Sequence, residues 1–594
     1  MGDDNRNFIV AFGLIMLILL GYQIFVMGPA AEQRREELAA EAALEQADPD
    51  LPTDTLTTSG AAATIDRPEA LAQAERIIID APSVEGSISL TGARFDDLRL
   101  RNHTTEVDSD ELVSLLNPIG ADHVFYARDG WQSITPGVND LPGGATNWAL
   151  ISGDVLTPDT PIVLGYESES GLAFERTISI NENYLFTITD NVTNTSSDEV
   201  ELQRYGLVRQ EGLPEVLTNN MAVFEGAIAV IDGAMVRESF NALEDGASAE
   251  ESGLGGWVGI TTRYWLTAAI PDLDTAFTAR FRTIERGEND AFEASYVERA
   301  QVLAPGASLS DTTYIFAGAK ELDVLHYVED NIGVQNFDMA YNWGWLWFLV
   351  RPFVWALHML EGMLGDFGLA ILALTLAIKI LMFPLANRAY ASMARMKIVQ
   401  PKMQEIRERY ASDTQKQQQA MMELYRKEKI NPLAGCLPIL PQIPIFFALY
   451  QTLFNALEMR HAPFFGWIRD MSAADPTNIW NLFGLLPYDP SGWFLLGGIL
   501  GIGAWPVLMG ITMWAQQALN PPPPDPMQAR IFAFLPIVFT FILAPFAAGL
   551  VIYWAWNNFL SVLQQYVIMR RHGNETQLDK LINRLRGKAS ENES

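Results

Sequence analysis

The sequence predicts a polytopic α-helical membrane protein of six spans, joined to one large β-sandwich outside the membrane. Three observations predict it. Apolar runs of spanning length stand at the start of the chain and again after residue 366. Acidity is segregated: residues 28–340 hold 54 Asp and Glu against 18 Lys and Arg, while residues 341–594 hold 16 against 21. Between the apolar runs lies a long stretch with strand-like alternation, punctuated by turn residues.

The whole chain of 594 residues carries a net charge of −32 and a mean hydropathy of +0.08. So acidic a block repels phosphate backbones, which argues against direct DNA binding. The one cysteine, Cys436, excludes an intrachain disulfide and any cysteine-based metal cluster.

Phe8–Met27 is charge-free and long enough to cross a bilayer, and it lacks a convincing cleavage site. It reads as an uncleaved anchor (1–27). Residues 28–75 form a linker, Ala/Glu-rich at first and then rich in Pro, Thr and Gly. The β texture that follows is assigned to a domain at 76–325. AFERTISI and YLFTITDNVTN flank Asn181-Glu182-Asn183, a hairpin turn. No phosphate loop, zinc-ligand spacing or nucleophile elbow occurs there, and His103, His123 and His326 are scattered. No catalytic residue, metal set or cofactor is assigned. Trp131, Trp148, Trp257 and Trp265 line a cleft or fill the core.

Tyr341–Leu364 is Trp-rich and interrupted by Arg351, Pro352, His358 and Glu361, which fits an amphipathic helix lying at the interface. Phe367–Leu385 is the second span. Residues 386–429 hold ten Lys and Arg against five Asp and Glu, and their helical periodicity predicts a hairpin of Tyr390–Tyr410 and Thr414–Lys429. The positive-inside rule places that hairpin in the cytoplasm. Leu437–Leu457, with three prolines near its start, is the third span. Trp493–Trp514 is the fourth, kinked near Trp505-Pro506, and Ala515–Arg530 is a short polar link. Ile531–Met569 has no charge in 39 positions, too many for one helix, so Pro545–Gly549 divides it into two spans. The basic tail from Arg570 lies inside with the N-terminus.

Lys379 is the one cation within an expected span, and no span supplies a carboxylate to pair with it. Burying such a charge costs roughly 2.5–3.5 kcal/mol on insertion scales. Either Lys379 faces a wet cavity, or it snorkels to the nearby helix end. The last span carries Tyr553, Asn557, Ser561, Gln564 and Gln565 on one helical face. With Thr375 and Gln442 they either line a hydrated groove or bond helix to helix.

At this point the sequence resembles the YidC/Oxa/Alb family of membrane protein insertases, in its proteobacterial form. The resemblance rests on NRNFIVAFGLIM at 5–16, GGWVGITTRYWLTAAIP at 255–271 and YNWGWLWF at 341–348. It continues through MARMKIVQPKMQEIRERY at 393–410, KINPLAGCLPILPQIPIFFALY at 429–450, DPMQARIFAFLPIVFTF at 525–541 and AGLVIYWAWNN at 548–558. The resemblance implies a periplasmic all-β super-sandwich, a five-span core at 367–570 and a groove open to cytoplasm and lipid. It implies a bacterial inner-membrane insertase and chaperone, working alone or with the Sec translocon, that is not an enzyme. Its implied partners are nascent membrane proteins, ribosome and targeting factors, the translocon with its accessory proteins, and lipid. Lys379 would be the groove charge, where the family usually carries Arg. Thr375, Gln442, Tyr553, Asn557, Ser561 and Gln564 would line the groove. Ile439, Ile443, Phe447 and Phe534 would form a slide for the client segment. Arg395, Lys397, Lys402, Arg407 and Arg409 would meet the ribosome. A solute transporter or channel, which predicts paired intramembrane charges, and a membrane-anchored carbohydrate-binding protein are the alternatives.

Overall fold

A computed structural model describes residues 64–214, 217–218, 222–285, 290–411, 413–428, 439–488, 490, 501–520 and 526–571. The expected anchor Phe8–Met27 and the tail beyond Arg571 lie outside these residues.

Twenty strands among the described residues pair into an eleven-stranded and a nine-stranded sheet. The burial pattern of Leu172–Ile180 alternates along its length, as expected where one face meets a core. It turns at Asn181–Asn183 into Leu185–Asn194, placing Phe186 opposite Ile180. The Asn181 side chain accepts from the Asn183 and Leu185 N–H groups, which fixes that turn. Trp131, Trp148 and Trp257 are core residues.

Charge also crosses the sandwich. Arg176 and Asp190 come from the nine-stranded sheet, and Asp129 and Arg204 from the eleven-stranded one. Arg176 meets Asp129 at 2.8 Å and Asp190 at 2.6 Å; Arg204 meets Asp129 at 2.5 Å and Asp311 at 2.6 Å. Burial opposes charge on Asp190, yet Arg176 and Arg204 hold its carboxyl down at about 2. Removing one member would strand the others, at roughly 3–5 kcal/mol.

The domain begins before residue 76. A short helix, Arg67–Leu71, sits on it through Arg67, which bonds Asn117 and Asp97. The expected linker therefore ends in docked chain.

The helical body follows. Helix α1 spans Trp347–Leu364, α2 Phe367–Leu381, α3 Phe383–Arg409 and α4 Thr414–Lys427. Helix α5 spans Ile439–Asn455, α6 Ala504–Leu519, α7 Pro526–Leu543 and α8 Ala548–Arg571. Asp366 caps α2 by accepting from the Leu369 N–H at 2.7 Å.

Three expectations need correction. The run Phe367–Leu385 is not one helix: α2 ends at Leu381 and the chain bends by 59° into α3. Pro384, in the first turn of α3, lacks an N–H, and its ring clashes with a continuing helix. Pro506 does not kink α6. It stands in the first turn, where missing donors are tolerated, and α6 runs on to Leu519. The polar link Ala515–Arg530 is thus helical at both ends, with residues 521–525 outside the described set. By contrast, the chain does turn at residues 544–547, between α7 and α8.

No single described helix is both long and apolar enough to cross a membrane; the bent pair α2 and the start of α3 passes by length and composition. The helices themselves therefore do not establish six spans. Their outward faces are nevertheless apolar, with Ile511, Phe534, Ile537 and Phe559 exposed.

The two parts meet at the end of α5. Arg263 donates to the Phe454 carbonyl at 2.7 and 2.9 Å, where the last turn of α5 has no partner of its own. Asn455 and Gln451 both donate to the Ala222 carbonyl, and Arg460 reaches the Thr104 carbonyl. The β-domain and the C-terminal end of α5 thus lie on the same side.

Candidate functional site

The site is a polar seam where α2 and α8 pack inside an apolar body. Lys379, near the C-terminal end of α2, donates from Nζ to Ser561 Oγ of α8 at 2.8 Å. Ser561 in turn donates to the Asn557 carbonyl at 2.8 Å, one turn back on its own helix. The ammonium is therefore held by a hydroxyl, and no ion pair to it occurs among the described residues. Trp556 ties the same helices by donating from Nε1 to the Leu372 carbonyl at 3.1 Å.

The other expected lining residues divide. Thr375 is buried, and its hydroxyl donates to the Ile371 carbonyl. Tyr553 is buried too and stacks on Phe446 of α5, ring centroids 6.4 Å apart. Asn557, Gln564 and Gln442 are partly exposed. Gln565 is buried and donates from Nε2 to Asn520 Oδ1, just past α6, at 2.9 Å.

One residue, Asn558, escaped the sequence reading. Asn558, beside Asn557, is buried with Nδ2 lacking a hydrogen-bond partner among the described residues, and Gln565 Oε1 is the same. The adjacent asparagines in an apolar run were the available signal. Such unmatched atoms each cost roughly 1–3 kcal/mol unless water or a ligand meets them.

Ile443, Phe447 and Phe534 are exposed on α5 and α7; the side chain of Ile439 lies outside the described set. In the hairpin, Lys402 pairs with Glu428 across α3 and α4 at 2.7 Å, and Arg409 pairs with Glu405 one turn away. Arg395 is exposed, Arg407 is partly buried, and the Lys397 side chain is outside the described set. The second hairpin helix starts at Thr414 as expected, whereas the first begins at Phe383, before the expected Tyr390.

A family model described as 60Kd inner membrane protein matches residues 359–575, and one described as YidC periplasmic domain matches residues 76–356. A membrane protein insertase YidC of Maricaulis maris is 74% identical over 586 residues, covering 98% of this chain and 99% of that protein. Its counterpart in Methylorubrum extorquens is 45% identical over 605 residues, covering 97% of each. A solved structure described as an active YidC insertase with its first transmembrane domain resolved aligns with 83% of this chain and 92% of its own. The identity there is 18% and the TM-score 0.35.

Proposed function

The chain belongs to the YidC family of membrane protein insertases, and from that premise we propose how its residues carry insertion. It is an inner-membrane insertase, not an enzyme, that acts on nascent membrane proteins and carries a periplasmic β-sandwich domain. In our reading the helices form six spans, counting Phe8–Met27, with both termini in the cytoplasm. The seam between α2 and α8 is a hydrated groove, and Lys379 is its client-attracting charge.

The observation that carries this reading is the bond from Lys379 to Ser561. A hydroxyl orients the ammonium without neutralising it, so its charge stays available to an acidic client flank. At an effective dielectric of about 20, two unit charges ~4 Å apart attract by roughly 4 kcal/mol. The unmatched amide atoms of Asn558 and Gln565 favour water in the seam. The client's polar flank enters there from the cytoplasm. Its apolar segment moves along Ile443, Phe447 and Phe534 and then partitions into lipid, driven by burial of its own apolar surface. The α3–α4 hairpin receives ribosomes or targeting factors, and the periplasmic domain docks to the Sec translocon.

Substitution of Lys379 tests this. Lys379→Arg keeps insertion. Lys379→Glu fails most for clients with acidic leading flanks, and Lys379→Ala falls between, since the polar stripe still hydrates the seam. The readout is insertion of one acidic client and its neutralised version, with variant abundance and topology checked. Equal insertion by the parent, Lys379→Ala and Lys379→Glu refutes the groove-charge mechanism.

A further inference from the structure

The segment between α5 and α6 ends in a feature that insertion through the seam does not use. From Pro476 to Tyr488 the sequence PTNIWNLFGLLPY has no charge. Its apolar side chains point outward: Trp480, Leu482, Phe483, Leu486 and Tyr488 are exposed, and Leu485 is 82% exposed. Single exposed apolar residues are ordinary, but six in nine positions form a patch that water disfavours.

The loop is folded. Eight backbone N–H groups from Ile479 to Tyr488 are donated to acceptors within it or at its anchor. Phe483 and Trp480 donate to Asn478, Leu486 and Gly484 to Asn481, and Ile479 to the Ile502 carbonyl. Asn481 Nδ2 and the Tyr488 hydroxyl close the turn onto the Tyr488 and Trp480 carbonyls. Leu482 and Phe483 hold positive φ angles of 51° and 59°, which bulky residues rarely adopt. The internal hydrogen bonds hold two apolar side chains outward on a backbone that resists it.

Its position is also fixed. Thr477 and Asp475 accept from the Ala504 and Trp505 N–H groups, so the loop is clamped to the first turn of α6. It lies on the β-domain side, because the same connection bonds the β-domain through Arg460 and Arg469. Phe465 and Trp467 are exposed beside it, and the outward face of α6 continues through Leu508, Ile511 and Trp514. The loop is thus anchored where α6 begins, and the outward side of α6 is itself apolar.

We propose that residues 479–488 are a wedge seated in the periplasmic leaflet beside α6, with lipid acyl chains as its occupant. Two features favour lipid over water or a polar protein surface. Backbone N–H groups entering hydrocarbon need protein acceptors, and eight from this loop have one. The Trp and Tyr side chains have the amphipathic character of residues at the membrane interface, and no charge obstructs entry. The inference rests on reading α6 as a span, so its test carries a separate probe of that reading.

A Cys436→Ala chain receives one bimane-labelled cysteine at Leu485, Ile511 or Ser197, in nanodiscs holding a single copy. Ile511 reports α6. Ser197 follows the Asn194 end of its strand, away from the Tyr184 end, where Tyr184 bonds Glu321 next to buried Lys320. Shallow doxyl lipids are expected to dim the Leu485 probe by about twofold while iodide leaves it bright, as for an interfacially buried side chain. Ser197 is expected to show the reverse. Iodide quenching at Leu485 with lipid quenching at Ile511 overturns the wedge and leaves the span standing. Lipid quenching at neither site overturns both. Protection of Leu485 from both quenchers means a protein surface covers it, and also overturns the proposal.

Discussion

Lys320, which is buried, and Lys379, which is partly exposed, are held in different ways. Lys320 is 6% exposed and donates to the Thr262 carbonyl and the Thr261 hydroxyl. Burial pushes its ammonium down to about 7 although Glu225 opposes the shift. Between pH ~7 and ~10.5 the unfolded chain holds a proton that the folded chain has released, so stability rises with pH in that window. From pH 7 to 9 the gain is about 2 kcal/mol. Lys320→Met removes this contribution. Denaturant unfolding of both chains at the two pH values isolates it, because other titrating groups are common to both; an equal pH response excludes the assignment. Lys379 is different in that a single hydroxyl of a neighbouring helix orients it. Its pairing with Ser561 was not legible in the sequence, since 182 positions separate the two residues. The shared face of Ser561, Asn557 and Gln565 was legible, because helical spacing alone defines it.

At the scale of elements, a proline in the first turn marks a helix start, whereas Pro352, Pro401, Pro444 and Pro536 stand inside helices. Pro384 and Pro506 each stand in a first turn, so one ends an expected span and the other begins a helix expected to be kinked. Sequence periodicity locates apolar faces well but does not choose between a kink and a boundary, since both keep the same spacing. The α3–α4 hairpin is held by Lys402–Glu428 and capped by Asp413, which accepts from the Lys416 N–H. Surface pairs of this kind contribute about 1 kcal/mol or less, so the hairpin owes little of its conformation to them. Deleting residues 390–427 is expected to abolish insertion while the remaining helices stay in the membrane, read by client insertion and alkali extraction. Normal insertion by a stable deletion chain removes the docking role.

At the scale of the whole molecule, the β-domain rests on the helical body through Arg263, Asn455 and Arg460. These contacts involve neither α2 nor α8 of the Lys379 seam, so removing residues 76–320 is expected to spare Sec-independent insertion and impair Sec-dependent clients. Failure of Sec-independent insertion at normal protein level contradicts this. Protease added to the periplasmic face is expected to cut between residues 28 and 340 and spare residues 386–429; cleavage of the hairpin from that side contradicts the six-span topology. The sequence by itself determined the division into an acidic β-domain and a basic helical body, because charge segregation and side-chain period are local properties of the chain. It also determined the turn at Asn181–Asn183 and a break from Pro545, though the last helix already begins at Ala548 within the expected Pro545–Gly549. Only the tertiary structure decided that Arg176, Arg204, Asp129, Asp190 and Asp311 form one buried network across two sheets. It alone brought Lys379 to Ser561 and folded Pro476–Tyr488 into an outward apolar patch. The reason is physical: such pairings join residues distant in sequence, and their free energy depends on a burial that exists only once the chain has packed.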